Sequence, residues 1–310
     1  MLDTALLAKA VLAGTLTAAA VMWLAAWWAP SAWQCVCWSW AVGVGVLAAS
    51  GASDQWPRWP PLEDRARFLT LLVPLILVVE TLVATLASRG PAWLVRLGLA
   101  AVVAPVLLHN TVYLTNQNGR NSAEWSPLQA SVVLSGLAAV LALIWAMLAR
   151  LQTRTPTPAV FWVLMLDAWA AAVTVMLSGY HNAGILGLGL AAALAGASLA
   201  WYITQPQSPT DGSLGMSVIG IFAVVLIGRF FGSLSNGLAA CLLLAPLLAW
   251  TVELPWTRAL ASRSRGMWRL ACVAVPLIVV VIIAQRKFSA ASKSGSRTFE
   301  PNSISELIEK

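Results

Sequence analysis

Charged residues are scarce in this chain, since lysine, arginine, aspartate and glutamate together make up only 10% of its 310 residues. Soluble globular proteins contain roughly 25% charged residues, because a folded chain in water needs polar groups to cover its surface. The hydrophobic fraction is 59% and the mean hydropathy is +0.79. These values exclude an ordinary soluble domain and indicate that lipid surrounds much of the protein.

The residues that build metal and redox centres are also few. The chain has two histidines and four cysteines, and the cysteines lie within or beside apolar runs, at Cys35, Cys37, Cys241 and Cys272. No Cys-x-x-Cys or His-x-x-x-His pair occurs, so we predict no metal site, no cofactor and small buried thiols. Phosphate-binding loops and dinucleotide fingerprints are absent. No basic run with interleaved aromatics suggests nucleic acid as a partner.

Long apolar runs fill the chain instead. An α-helix needs about 20 residues to cross a hydrocarbon layer of about 30 Å, and runs of this length follow one another closely. We predict an all-α fold, a polytopic integral membrane bundle of about ten transmembrane helices with no soluble domain. Residues 1–284 form this domain, and residues 285–310 are expected to be a polar, disordered tail. The predicted spans are residues 6–28, 31–49, 68–87, 92–113, 127–148, 159–178, 183–203, 214–231, 237–252 and 267–284.

Tryptophan and arginine mark the expected membrane surfaces. Many of the 17 tryptophans lie near the ends of apolar runs, where an indole ring suits the headgroup region. Arginine-rich loops, such as the one holding Arg258, Arg263 and Arg265, are expected to attract anionic lipids. The lipid bilayer is therefore the expected partner, together with other proteins of the membrane.

We counted the lysines and arginines near the predicted spans on each side of the membrane, with Arg89 and Arg96 included as surface charges. Each side has eight, so the positive charges do not decide the orientation. Arg286 and Lys287, directly after the last span, favour cytoplasmic termini in the inner, or cell, membrane. We interpret the first apolar run as an uncleaved span, because it is long for a signal peptide.

Two acids lie deep within predicted spans. Asp167 is about nine residues, or roughly 13 Å, into its span, and Ala170, Ala171, Thr174 and Ser178 share its helix face. Glu80 follows a helix-distorting proline, Pro74. A charged carboxylate at this depth costs several kcal/mol, so each acid is expected to be protonated or paired. Arg229, His109 and His181 are the candidate cations. The acids then either belong to a proton or solute pathway or form hydrogen bonds between helices.

A second polar group follows the fourth span. His109, Tyr113 and Asn116 share one face if the helix continues through them, and Asn110 lies beside this face. The group is either a polar vestibule or a set of interfacial hydrogen bonds at a helix end. A second His-Asn pair occurs at His181, without matching neighbours.

Small residues recur every four positions in the seventh span, at Gly189, Ala193 and Ala197 and again at Ala192, Gly196 and Ala200. Gly228 and Gly232 form a GxxxG pair. Such spacing lets helix backbones approach closely and needs no binding site to explain it. Ser178-Gly179 only faintly resembles the serine motif of intramembrane proteases, because Met176 stands where that motif has glycine.

The leading functional prediction is a non-enzymatic structural or accessory membrane subunit, because buried polar groups are sparse and packing motifs are abundant. The alternative is a small-solute or proton-coupled transporter that uses Glu80 and Asp167. A membrane enzyme acting on lipid-linked substrates is third. Such an enzyme normally needs a charged or metal-binding cluster at one membrane face, and the group from Arg258 to Arg269 is too purely cationic to serve alone.

Overall fold

The computed structural model describes residues 4–30, 33–54, 56, 59–86, 92–114, 124–155, 159–204, 214–254 and 262–296. Within these ranges the protein is helical, and no strand occurs. The all-α prediction is confirmed. Asn116, the arginine-rich link at Arg258 and the last part of the predicted tail, residues 297–310, lie outside the described residues.

Ten helical segments follow one another in the described part of the chain. The third combines Asp64–Arg67, a π-helical turn at Phe68–Leu72 and Val73–Leu86, and we label the whole segment α3. The ninth continues from an α-helix into a 3₁₀-helix, Ala245–Glu253, which begins beside Pro246. The others are α1 (Thr4–Trp28), α2 (Gln34–Ala52), α4 (Ala92–Leu108), α5 (Pro127–Arg154), α6 (Ala159–Leu177), α7 (His181–Thr204), α8 (Gly215–Phe230), α9 (Asn236–Leu244) and α10 (Ser262–Ser296).

Seven of these helices are long and apolar enough to cross a membrane by length and composition. The remaining three are shorter apolar helices, covering Val36–Ala52, Ala92–Leu108 and Gly215–Phe230. The helices follow the order of the predicted spans, which supports an integral membrane protein. The number of membrane crossings, about ten, stays a prediction.

Helix ends differ from the predicted span ends at several positions; α5, for example, continues to Arg154 and not only to residue 148. Two further differences concern the fourth and the last span. The fourth span was extended to residue 113, but α4 ends at Leu108, and Asn110 adopts a positive φ of 55° that stops the helix. The last span was ended at residue 284, but α10 continues to Ser296. Residues 285–296 of the predicted tail are therefore helical.

Small residues hold α1, α2 and α7 close together. A Cβ atom on Gly45 would lie 2.7 Å from the Cβ of Ala193, and one on Gly196 would lie 2.1 Å from the backbone oxygen of Thr15. Since real atoms do not approach so closely, glycine is required at both positions. The helix-packing interpretation of Gly196 and its small-residue stripe agrees with these contacts.

The centre of the bundle is formed by α7 and α8. All residues of α8 from Gly215 to Gly228 are buried, and α7 is buried along most of its length. Two ends of the bundle can be named from side-chain contacts. The Tyr180 end contains the contacts of Asp64 with Tyr180 and of Ser178 with Ser233, and the Glu253 end contains the ion pair of Glu253 with Arg269.

Candidate functional site

Glu80 lies on α3, about 24 Å along the helix from Asp64 and therefore towards the Glu253 end. Its side chain is completely buried. The Nη2 atom of Arg96, on α4, lies 3.7 Å from its Oε2 atom. Arg96 is itself 7% exposed, so both charges are removed from solvent and compensate each other. The partner of Glu80 is thus none of the three candidate cations named from the sequence, Arg229, His109 and His181.

Two further helices enclose the Glu80–Arg96 pair. The guanidinium carbon of Arg96 lies 5.6 Å from the ring centre of Trp145 on α5, which is a cation–π distance. The Oε1 atom of Glu80 faces Gly215, the first residue of α8, where a Cβ atom would lie only 2.0 Å away. A helix N-terminus carries a partial positive charge, so this position favours a carboxylate. Four helices thus meet around one ion pair.

Asp167 lies near the middle of α6 and is also completely buried. In contrast to Glu80, it has no ion pair, and neither of its carboxyl oxygens has a hydrogen-bond partner in the part of the chain that the structure describes. It borders a cavity of about 10 Å³ whose other walls are apolar. Such a volume holds at most about one water molecule. The walls come from α5, α6, α8 and α9, and include Leu141, Ile144, Leu164, Val218, Phe222 and Pro246.

The two acids share neighbouring helices but lie in separate surroundings. On α5, Trp145 contacts the Glu80–Arg96 pair, whereas the adjacent Ile144 lines the cavity beside Asp167. On α8, Gly215 lies against Glu80, and Val218 lines the cavity beside Asp167. No described polar side chain connects the two carboxyl groups. The arrangement therefore consists of one compensated acid and one isolated acid, with no relay between them among the described residues.

The predicted polar face after α4 does not form, because the helix ends at Leu108. His109 and Asn110 are exposed residues of the following turn. Tyr113 packs against Trp125 and Phe230, at ring-centre distances of 4.9 and 5.3 Å. The prediction that Tyr113 shares a helix face with His109 was thus wrong. Tyr113 belongs to an aromatic cluster at the Tyr180 end.

The other two predicted residues are also remote from the acids. His181 is exposed at the start of α7. Arg229 is half-buried near the end of α8, where its Nε atom donates to the Oδ1 atom of Asn236 and its guanidinium lies 5.8 Å from the ring centre of Phe230. Both residues thus lie at helix ends, and the structure does not bring them into a common site with Glu80 or Asp167.

A third buried acid, Asp64, was missed by the sequence analysis. Its side chain is 4% exposed, and Tyr180 donates a hydrogen bond of 2.7 Å to its Oδ1 atom. Burial, and then this hydrogen bond, raise the pKa of Tyr180, so the phenol stays a neutral donor. Nearby, Arg67 donates to the carbonyl oxygens of Leu62 and His109 and fixes the loop before α3. The only sequence signal for Asp64 is the short charged segment before the third predicted span, at residues 62–67.

The described residues contain no group of three or more histidine, cysteine, aspartate or glutamate side chains that could hold a metal ion. Cys37, Cys241 and Cys272 are free thiols. No protein-family model, no curated protein and no solved structure matches this chain. The site must therefore be interpreted from its own geometry.

Proposed function

We propose that the protein is a non-catalytic, multi-pass subunit of a membrane assembly. The observation that supports this most is the way in which both intramembrane acids are enclosed. Glu80 is compensated by Arg96, which lies over Trp145, and Asp167 borders a cavity of about 10 Å³ with otherwise apolar walls. A carrier needs polar groups along a passage, and these two acids have separate, closed surroundings. The contacts of Glu80 fit a role in holding helices together.

The outer surface of the bundle is consistent with this role. The first helix, α1, is attached to the bundle by its small residues, and its other face exposes large apolar side chains to the membrane. This surface is available to lipid or to a partner helix, as is typical of membrane subunits. The exposed residues include Leu12, Leu16, Trp23, Leu24, Trp27 and Trp28.

A second function, proton-coupled transport, is favoured by one specific observation. Asp167 is an uncompensated carboxyl group at mid-membrane, beside a space large enough for about one water molecule. A carboxyl group in this position can exchange a proton if a second conformation opens a path to it. This alternative makes Asp167, and not Glu80, the residue on which transport would depend.

The test begins with extraction from the native membrane in mild detergent, followed by quantitative mass spectrometry of what purifies with the protein. A subunit is expected to bring at least one other protein in stoichiometric amount. The purified chain is then reconstituted into vesicles, and proton uptake driven by a membrane potential is recorded with a pH-sensitive dye. Uptake no faster than in empty vesicles is expected.

Two carboxyl-to-amide variants make this test decisive. Asp167→Asn changes the isolated acid, and Asp54→Asn makes the same chemical change at an exposed position outside the bundle. Proton uptake by the wild type that is lost in Asp167→Asn and kept in Asp54→Asn would establish transport and contradict the subunit proposal. Purification without any protein partner, together with such uptake, would do so most clearly.

We further propose, as the sequence indicates, an inner-membrane location with cytoplasmic termini. Arg286 and Lys287 support it, since both are exposed on α10 just past its apolar part.

A further inference from the structure

A second cavity lies at the Tyr180 end, where α10 continues past the apolar part of the bundle. Its volume is about 390 Å³, which is within the usual range for small-molecule sites. It is bounded by the end of α6, by the turn at 233–235 before α9 and by one face of α10. We call it the Lys287 pocket, after its one described basic residue; Thr174, Ser178, Ser235, Leu238 and Phe288 are among the others that line it.

Several hydrogen-bond donors of this pocket are uncommitted or only weakly committed. The Nζ atom of Lys287 donates to the Oγ atom of Ser235 at 3.4 Å, a long contact that leaves its remaining protons available. Ser235 uses an oxygen lone pair in this contact, so its own hydroxyl proton is also available to a bound acceptor.

The neighbouring hydroxyls fix the shape of the pocket. Ser178 donates to the carbonyl oxygen of Val175 at 2.7 Å, and the hydroxyl of Ser233 donates to the carbonyl oxygen of Ser178 at 2.7 Å. The backbone N–H of Ser233 donates to the same oxygen at 3.1 Å. The two bonds from Ser233 join the turn after α6 to the turn before α9, and the bond from Ser178 fixes the first of these turns.

The start of α9 adds a partial positive charge beside Lys287. Ser235 is the N-cap residue of α9, yet its side chain makes no capping hydrogen bond and instead accepts from Lys287. A helix N-terminus attracts anions through its free N–H groups and its dipole. None of the described residues that line the pocket is acidic. Lysine, helix terminus and hydroxyls therefore all favour an anion that accepts hydrogen bonds.

The rest of the lining is apolar and lies at the depth of the membrane surface. Leu177, Leu234, Leu238 and Phe288 contribute apolar walls. Lys287 follows Ala284, the last residue of the apolar part of α10, by less than one helical turn. Lysine at such a position is at headgroup level. Apolar walls do not contribute to the binding of a free inorganic anion, whereas a phospholipid has both a phosphate and an acyl chain.

We propose that the Lys287 pocket binds the phosphodiester headgroup of an anionic phospholipid. The ammonium group of Lys287 and the hydroxyl of Ser235 are the donors, and the apolar walls lie against the upper part of an acyl chain. The proposal concerns this cavity alone and does not depend on the subunit function.

The test measures lipid binding to the full-length protein in detergent by native mass spectrometry. Phosphatidylglycerol and phosphatidylcholine with identical acyl chains are titrated separately, so that only headgroup charge differs. We expect tighter binding of phosphatidylglycerol. We expect Lys287→Gln to weaken that binding about tenfold, which corresponds to the loss of one charge-assisted hydrogen bond. Ser235→Ala should weaken it by a smaller factor, since a neutral hydrogen bond is lost.

Arg286→Gln is the matched control, because it removes the same charge at the adjacent position of α10 and does not line the Lys287 pocket. It should leave the affinity for phosphatidylglycerol within about twofold of the wild type, as expected for a rim charge. Equal losses in Lys287→Gln and Arg286→Gln would show diffuse electrostatic attraction and overturn the proposal. Equal binding of the two lipids would also overturn it.

A third titration uses sodium phosphate with the protein depleted of lipid. Stabilisation by inorganic phosphate that is lost in Lys287→Gln, without preferential binding of phosphatidylglycerol, would overturn the lipid assignment and identify a small-anion site. Competition by phosphate only at concentrations far above those of the lipid is the result expected for a lipid site.

Discussion

The surroundings of Glu80 and Asp167 differ although both side chains are fully buried carboxyl groups on apolar helices. Around Glu80, three neighbouring helices supply a cation, an aromatic ring and a helix N-terminus. Asp167 borders a cavity with otherwise hydrocarbon walls, and its oxygens have no hydrogen-bond partner among the described residues. Burial alone therefore does not reveal the role of an intramembrane acid. The number of compensating contacts separates an acid that holds helices together from one that merely occupies a helix face.

The largest loss of stability is expected when only one member of the Glu80–Arg96 ion pair is replaced. Arg96→Met leaves Glu80 buried without its cation, and breaking a buried ion pair in this way typically costs about 3–5 kcal/mol of unfolding free energy. Denaturant unfolding in detergent measures this loss. Arg150→Met on α5, where the arginine is exposed, is the control and should change the unfolding free energy little.

The double variant Glu80→Met/Arg96→Met sharpens the result. Replacing a buried pair with apolar side chains of similar volume is often close to neutral, so the double variant should be more stable than Arg96→Met alone. If Arg96→Met and Arg150→Met proved equally stable, the ion pair would have no role in holding α3 to α4.

A smaller loss of stability is expected when a methyl group is added next to Glu80. In Gly215→Ala, the new Cβ atom would lie 2.0 Å from Oε1 of Glu80 and 2.9 Å from Cζ2 of Trp145, so both side chains must move. Overpacking of this kind typically costs about 1–3 kcal/mol. Gly98→Ala on α4 is the matched control, since its Cβ would have no described atom within 4 Å. A thermal unfolding midpoint as high in Gly215→Ala as in Gly98→Ala would contradict this packing.

The smallest effect is expected at Asp167. Asp167→Asn keeps the size of the side chain and removes no ion pair, so the unfolding free energy should change by no more than about 1 kcal/mol. Glu80→Gln is the same chemical change beside Arg96 and should cost more, because it leaves a guanidinium buried without its counter-charge. Equal losses in the two variants, measured under identical detergent conditions, would remove the distinction between the two acids.

The helices could be predicted from the sequence because the signal for each is local. An apolar run of about 20 residues predicts a membrane helix wherever it occurs, and the helices occur in the predicted order. One helix end was nevertheless mispredicted, although its signal is also local. The fourth span was extended through the polar residues at His109 to Tyr113, although Asn110 is a residue that readily adopts the left-handed conformation that ends a helix.

The partners of the acids could not be predicted in the same way. Arg96 is five residues into α4, and it was counted as a surface charge because arginine near a span end usually extends to the headgroups. Only the packing of α4 against α3 and α5 shows that its guanidinium turns inward to Glu80 and Trp145. Asp64 and Tyr180, 116 positions apart in the chain, are likewise joined only in the folded bundle.

Composition and apolar run length thus determined that this chain forms an all-α membrane bundle, and small-residue spacing indicated which helix faces pack closely. Both signals arise from residues that are near one another in the chain. The compensation of Glu80, the isolation of Asp167 and the Lys287 pocket were decided by tertiary structure. Each depends on which helices become neighbours and how they are rotated, because a side chain finds its partners across helix interfaces and not along its own helix.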